Sequence, residues 1–224
     1  NDAPVATNDA GSVNEDATLS VSNGSGDIID NNDTDADDSA SLVVSAVRIG
    51  GVEGSGNAGT VGQALTGTYG QLTLNANGSY SYVANQDAAD DLDASDQVTD
   101  VFNYTLSDGT ATDTATITIT VTGINDAPVA DNETGAVNED ATLTVTDGTS
   151  DVLHGDTDAD DSASLTVSAI RTGAEDGSGT SGSIGSGLTG TYGTLTLASD
   201  GTYTYVADQS AADDLDASDT ATDV

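Results

Sequence analysis

The clearest pattern in the chain is a strict alternation of apolar and threonine positions over residues 114–122. One face of this segment carries Ala115, Ile117, Ile119 and Val121, which is the pattern of a half-buried β-strand. Residues 101–106 alternate in the same way, and Asp108-Gly109 between the two segments supplies the turn chemistry of a hairpin. These residues therefore predict an antiparallel β-hairpin.

The same reading predicts strands along most of the chain. A second hairpin pairs residues 69–74 with 80–83 around Asn77-Gly78, and it recurs around Asp200-Gly201. Further strands are predicted at residues 5–13, 18–22 and 41–49, with a glycine-rich loop at 50–62 and an acidic turn at 87–96. About seven strands per copy and no convincing helix predict an all-β fold of antiparallel, Ig-like sandwiches with Greek-key connections.

The chain contains a long internal repeat. The sequence NDAPVA at residues 1–6 returns at 125–130, and VNEDATL at 13–19 returns at 137–143. A repeat of more than 100 residues exceeds solenoid periods of about 20 to 50, so each copy is expected to be a domain with its own core. We expect domains at 1–124 and 125–224, with the second copy truncated, since it holds no counterpart of residues 102–123.

The net charge of the chain restricts the classes of partner that it can bind. The chain has 39 acidic residues against Arg48 and Arg171, a net charge of −37, so nucleic acid and anionic membranes are repelled and cations are the natural partners. The absence of cysteine excludes disulfides and thiolate metal sites. No apolar run approaches the roughly 20 residues of a membrane span. The start, Asn1-Asp2-Ala3-Pro4, lacks the basic and apolar regions of a signal peptide, so we expect any targeting signal outside these residues.

An acidic loop, Asp33-Thr34-Asp35-Ala36-Asp37-Asp38, recurs at residues 156–161. Alternate carboxylates of such a loop project together and offer the hard oxygens that Ca²⁺ collects in sets of about six to eight. A solvated charged turn is the alternative, but both copies keep the spacing and few basic residues could neutralise it. The loop is not an EF-hand, because Asp38 stands at the glycine position and Val44 at the glutamate position.

The end of the first copy resembles a known family. Residues 106–109 (LSDG), the alternating strand 115–122 and residues 123–129 (GINDAPV) resemble the ending of bacterial VCBS and cadherin-like repeats of large surface adhesins, and the similarity covers essentially the whole chain. The resemblance implies Ca²⁺ at the junction of consecutive domains. The ligands that it implies there are Glu15, Asp91, Asp93, Asn125, Asp126, Asp158 and Asp160.

By the same resemblance Asp108 joins Asp35 and Asp37 in a site at the opposite, amino-terminal end of the first copy. Asp33, its counterpart Asp156, and Glu139, the counterpart of Glu15, complete the predicted metal ligands. Gly123 departs from the family pattern, which has the first linker aspartate there, and Asp93-Ala94 only approximates the family's acidic pair. The number of ions therefore stays open.

The function that follows is a calcium-rigidified extender repeat of a secreted bacterial surface adhesin or filament protein. Its expected partners are Ca²⁺, neighbouring repeats and other copies, without nucleic acid or membrane insertion. A catalytic role is not expected, because His154 has Asp30 as its counterpart and the other members of a triad cannot be placed. Two alternatives remain: a glycan- or ligand-binding sandwich, and acidity that serves only solubility in a halophile.

Overall fold

The computed structural model describes residues 1–24, 26–30, 32–37, 41–146, 148–175 and 177–224. The chain divides into two compact units. The first unit comprises Asn1–Asp126 together with Ala159–Ser162, and the second comprises Ala127–Asp158 and Ala163–Val224. Asp38, part of the predicted acidic loop, lies outside the described residues.

The first unit consists of two four-stranded sheets. Its strands are β1 (Asp9–Asn14), β2 (Thr18–Val21), β3 (Val43–Ile49), β4 (Ala64–Thr66), β5 (Gln71–Leu74), β6 (Tyr80–Val83), β7 (Gln97–Ser107) and β8 (Thr112–Thr122), with a single helical turn α1 (Asp87–Asp90). The sheets have the orders β1-β8-β7-β3 and β2-β6-β5-β4. β1 runs parallel to β8, and the other pairs are antiparallel. The prediction of an all-β sandwich is confirmed.

The β7–β8 hairpin forms the centre of the core. Its register pairs Phe102 with Ile117 and Tyr104 with Ala115, and all four side chains are buried. The other sheet contributes Leu72, Leu74 and Tyr82 to the same cluster. At the turn, Gly109 has a φ of +93°, the left-handed conformation that Asp-Gly turns supply. The alternation over residues 114–122 thus matches the inward and outward faces of β8.

Several strand bounds differ from the predictions, as the first and fifth strands illustrate. Val5 makes only an isolated bridge with Thr34, so β1 begins at Asp9. β5 begins at Gln71, because the preceding backbone amides turn towards the Asp100 carboxylate. The short edge strand β4 was not predicted, since three residues are too few for an alternation to register.

The second unit repeats one of these sheets. Its elements are β9 (Thr142–Val145), β10 (Ile170–Arg171), β11 (Ser181–Gly182), β12 (Gly187–Thr189), β13 (Thr194–Leu197), β14 (Tyr203–Val206) and α2 (Ser210–Asp213). The sheet β12-β13-β14-β9 has the order of β4-β5-β6-β2. Its buried cluster contains Ile170, Leu188 and Leu197. This core is small because residues 125–224 include no counterparts of β8 or of most of β7.

Candidate metal centres

Three carboxylates of the first unit meet beside the β7–β8 turn. Asp35 and Asp37 come from the acidic loop, Asp108 comes from the turn, and one oxygen of each lies within 4.8 Å of the others. The Asp37 backbone N–H donates to Asp35 Oδ1 over 2.8 Å, which curls the loop. The fold therefore assembles the trio that the family resemblance implies, although Asp108 lies 71 and 73 positions from Asp37 and Asp35 in the sequence.

Neighbouring donors stabilise the anionic form of Asp108. Asp108 Oδ1 accepts from the backbone N–H groups of Thr110 and Ala111, at 2.6 and 2.7 Å. The Asn1 side chain donates to Asp108 Oδ2 over 2.8 Å. The backbone hydrogen bonds, followed by the one from Asn1, lower the pKa of Asp108 below its ordinary value.

One carboxylate oxygen of the trio, Asp35 Oδ2, is buried without a hydrogen-bond donor among the described residues. A buried carboxylate oxygen without a partner is costly, and beside two further carboxylates a hard cation is a group that would satisfy it. The donor set fits Ca²⁺, which takes carboxylate and carbonyl oxygens.

A second acidic cluster surrounds Glu15, directly after β1. Glu15 is 1% exposed, and its Oε1 accepts from the Ile124 backbone N–H over 2.5 Å. Its Oε2 is buried without a hydrogen-bond partner in the described part of the chain. Burial raises the pKa of Glu15, and the carboxylates of Asp126, Asp16 and Asp160 raise it further against the opposing Ile124 hydrogen bond.

The carboxylate of Asp90, the last residue of α1, belongs to the same cluster. Its Oδ1 is buried and unpartnered among the described residues. Burial, followed by repulsion from Asp16 and Asp126, raises the pKa of Asp90. Two orphaned carboxylate oxygens among like charges again fit a hard cation. The sequence prediction had not included Asp16 or Asp90, although both belong to acidic stretches that recur in the repeat.

A matching hydrogen bond occurs in both acidic loops. The Asp2 backbone N–H donates to Asp37 Oδ2 over 2.9 Å, and the Asp126 backbone N–H donates to Asp160 Oδ2 over 3.1 Å. The second bond lies within the first unit, which includes both residues. The Asn-Asp sequence and the Asp-x-Asp sequence are thus brought together twice in the same way.

Asp33 has other partners. Its Oδ1 accepts from the Thr7 backbone N–H over 2.7 Å, and its Oδ2 accepts from the Tyr104 hydroxyl over 3.3 Å. The same hydroxyl lies 2.9 Å from Asp9 Oδ2. Burial raises the pKa of Asp33, although these hydrogen bonds oppose the shift. Its carboxylate therefore ties the loop to the core, and its role as a metal ligand stays a prediction.

Asp156 lies in a third acidic group, with Asp131 and Glu133, in the second unit. The Asp131 backbone N–H donates to Asp156 Oδ1 over 2.9 Å. Burial, together with a hydrogen bond and repulsion from Asp131, raises the pKa of Glu133 to about 7. The counterparts in the first copy are Thr7, Asp9 and Asp33, which contact the Tyr104 hydroxyl. In the first copy the equivalent residues therefore surround the Tyr104 hydroxyl, and they are distinct from the trio at Asp108.

The remaining predicted ligands do not form a single cluster in the described structure, and several have hydrogen-bond partners within the protein. The Asp93 carboxylate accepts from Ser162, and the Asp91 carbonyl accepts from the Asp161 backbone N–H over 3.2 Å. The Asn125 side chain donates to the Asp126 carbonyl. Glu139 is exposed, unlike Glu15, and Asp158 belongs to the second unit.

These features define a class, the tandem β-sandwich repeat with acidic clusters on its loops and linker. The family described as bacterial cadherin-like domain matches residues 1–123 and again residues 125–224. The chain therefore belongs to the bacterial cadherin-like domain family, and this supports an extracellular, adhesin-type repeat. No helix among the described residues has the length and apolar character needed to cross a bilayer.

Other comparisons add little. No curated protein matches the chain. An endo-fucoidan hydrolase from glycoside hydrolase family 107 is similar at 12% identity and a TM-score of 0.29, over 93% of this chain and 24% of the enzyme. The chain thus spans about a quarter of that enzyme, and a TM-score this low carries no argument about activity.

Proposed function

We propose that the chain is an extender segment of a secreted bacterial surface adhesin, in which Ca²⁺ bound at the acidic clusters stiffens consecutive repeats. The observation that carries the proposal is the buried Glu15 Oε2, which no described hydrogen-bond donor satisfies and which carboxylates surround. In this proposal the chain has no catalytic role. Its activity is mechanical, because a stiff rod projects a distant binding domain from the cell.

The charge of the protein supports a cation in this role. The only two cationic side chains, Arg48 and Arg171, each donate to a carbonyl oxygen of a glycine-rich loop, those of Gly56 and Gly177. The clusters at Glu15 and Asp108 therefore need a counter-charge from outside the chain. Millimolar extracellular Ca²⁺ supplies it, whereas low cytosolic Ca²⁺ leaves the carboxylates to repel one another before export.

Calorimetric titration of the full chain with Ca²⁺ and with Mg²⁺ tests the sites. We expect Ca²⁺ to bind and Asp108→Asn to remove or weaken at least tenfold one class of sites. Asp30→Asn is the matched control, because it removes one exposed carboxylate outside the clusters. If the wild type and Asp108→Asn bind the same number of Ca²⁺ ions with the same affinity, the Asp35, Asp37 and Asp108 trio is not a calcium site. If the chain binds no Ca²⁺ at all, the whole proposal is refuted.

Small-angle scattering tests whether Ca²⁺ stiffens consecutive repeats. We expect Ca²⁺ to narrow the distribution of end-to-end distances, and the double substitution Asp126→Ala with Asp158→Ala to broaden it while each unit stays folded. An equally narrow distribution in chelator and in Ca²⁺ would show that packing, rather than the ion, sets the stiffness.

A further inference from the structure

Asp93 makes a two-point contact with Ser162 inside the first unit. Its Oδ1 accepts from the Ser162 backbone N–H over 3.1 Å, and its Oδ2 accepts from the Ser162 hydroxyl. Both carboxylate oxygens thus have hydrogen-bond donors within the protein. These two hydrogen bonds, first the one from the hydroxyl and then the one from the backbone, lower the pKa of Asp93.

The backbone on both sides of this contact is fixed. The Asp161 backbone N–H donates to the Asp91 carbonyl over 3.2 Å, so two consecutive residues of the acidic segment are held by the turn that follows α1. The turn itself is anchored to the end of β8. Gly123 N–H donates to the Asp96 carbonyl over 2.9 Å, and its carbonyl accepts from Ser95 N–H over 3.0 Å.

This anchoring leaves no room for a side chain at position 123. A Cβ at position 123 would collide with the Asp93 carbonyl oxygen and crowd Leu92. Any side chain there would push the turn away from β8 and move Asp93. The glycine and the placement of Asp93 therefore belong to one arrangement.

We infer that Asp93 and Ser162 form an ion-independent latch that holds the segment Ala159–Ser162 on the first unit. Asp93 acts as a hydrogen-bond acceptor for a serine rather than as a calcium ligand. The inference extends the proposed function, since it names a residue pair that positions the acidic segment near Glu15 before any ion binds.

Both halves of the latch recur in the repeat. Asp216 is the counterpart of Asp93, and Ser39 is the counterpart of Ser162. Each copy therefore carries both residue types that the latch uses. The partner that this chemistry recognises is another copy of the same repeat with serine at this position.

Hydrogen exchange measured by NMR on the full chain in chelator tests the latch. We expect the Ser162 amide to be protected at least tenfold over its unfolded rate, and Asp93→Ala to abolish that protection. Asp87→Ala, which removes an exposed carboxylate of α1, is the matched control and should leave it intact. Unchanged amide shifts of β8 show that each variant is folded.

Calcium titration of Asp93→Asn gives the second readout. The latch predicts a calcium affinity within about threefold of the wild type, whereas a ligand role predicts at least a tenfold loss. Protection of Ser162 that appears only with Ca²⁺, or a tenfold loss in Asp93→Asn, overturns the latch. Protection in chelator would stand even if the full chain bound no Ca²⁺, so failure of the latch and failure of the proposed function are distinguishable.

Discussion

The Tyr82 hydroxyl donates to the Asp100 carboxylate over 2.6 Å, and both side chains are buried in the first unit. Asp100 also accepts from the backbone N–H groups of Thr68, Tyr69 and Gly70, at 2.9 to 3.2 Å. One carboxylate of β7 thus ties the β4–β5 turn and β6 together. In the second unit Asp223 accepts in the same way from Tyr205 and from residues 191–193.

We predict that Tyr82→Phe lowers the free energy of unfolding of the first unit by about 1.5 to 3 kcal/mol, because it removes a hydrogen bond to a buried charged group. Denaturant unfolding in the presence of Ca²⁺ measures the change. Tyr80→Phe is the matched control, since this tyrosine lies on the same face of β6 but does not contact Asp100. Equal losses in both variants would assign the effect to packing.

Glu15→Gln should change stability with opposite signs in the two conditions. In chelator we expect a higher melting temperature than the wild type, because the substitution removes a buried charge whose pKa is raised by burial and by neighbouring carboxylates. In Ca²⁺ we expect a lower one, because a ligand is lost. Calcium at 100 times its dissociation constant adds about 2.7 kcal/mol per site. The same sign in both conditions would contradict the role of Glu15.

A pH-dependent prediction concerns the β13–β14 turn. Asp200 Oδ1 accepts from the Thr202 hydroxyl and the Thr202 backbone N–H, and these two hydrogen bonds lower the pKa of Asp200. A lowered acid pKa stabilises the folded state above the ordinary pKa of about 4, and this contribution is lost as the pH falls through the folded value.

Thr202→Ala should raise the pKa of Asp200 towards its ordinary value, because the larger of the two causes is removed. Titration of the Asp200 carboxyl ¹³C signal by NMR measures it. Thr204→Ala, on β14 beyond the turn, serves as the control and should leave the Asp200 pKa unchanged. If the pKa of Asp200 stays low in Thr202→Ala, the hydrogen bond from the backbone N–H of residue 202 is the main cause of the shift.

The fourth prediction concerns the core of the second unit. Appending a copy of residues 102–123 after Val224 should raise the melting temperature of this unit markedly, because the new strands would bury counterparts of Phe102, Ile117 and Ile119. Each such side chain contributes about 1.5 to 3 kcal/mol on burial. The same extension with those three residues changed to serine is the control, and equal stability of the two extended chains would refute the strand assignment.

Much of the fold could be predicted because its signals are local. The alternation over residues 114–122 and the Asp108-Gly109 turn specify β8 and the β7–β8 hairpin, since side chains of a strand alternate between faces and a tight turn requires particular backbone conformations. Because the sequence repeats, the second hairpin of the first copy also predicted the hairpin that the structure shows at residues 194–206. Except for Asp108, which has no counterpart among residues 125–224, the acids of the Asp108 trio and of the Glu15 cluster were likewise visible as recurrent residues.

The tertiary structure alone decided which acids face one another. Asp33 and Asp35 are two residues apart in one loop, so an alternating pattern would give them the same environment. The Asp33 carboxylate nevertheless accepts from the Tyr104 hydroxyl, whereas Asp35 Oδ2 has no hydrogen-bond donor among the described residues. The difference arises because Tyr104, on β7, reaches Asp33 only once the sheets have packed. Likewise, Asp93 meets Ser162 across 69 residues, a pairing that no local periodicity encodes. Local sequence determines strands and turns by steric rules, but the partner of a buried carboxylate depends on long-range packing.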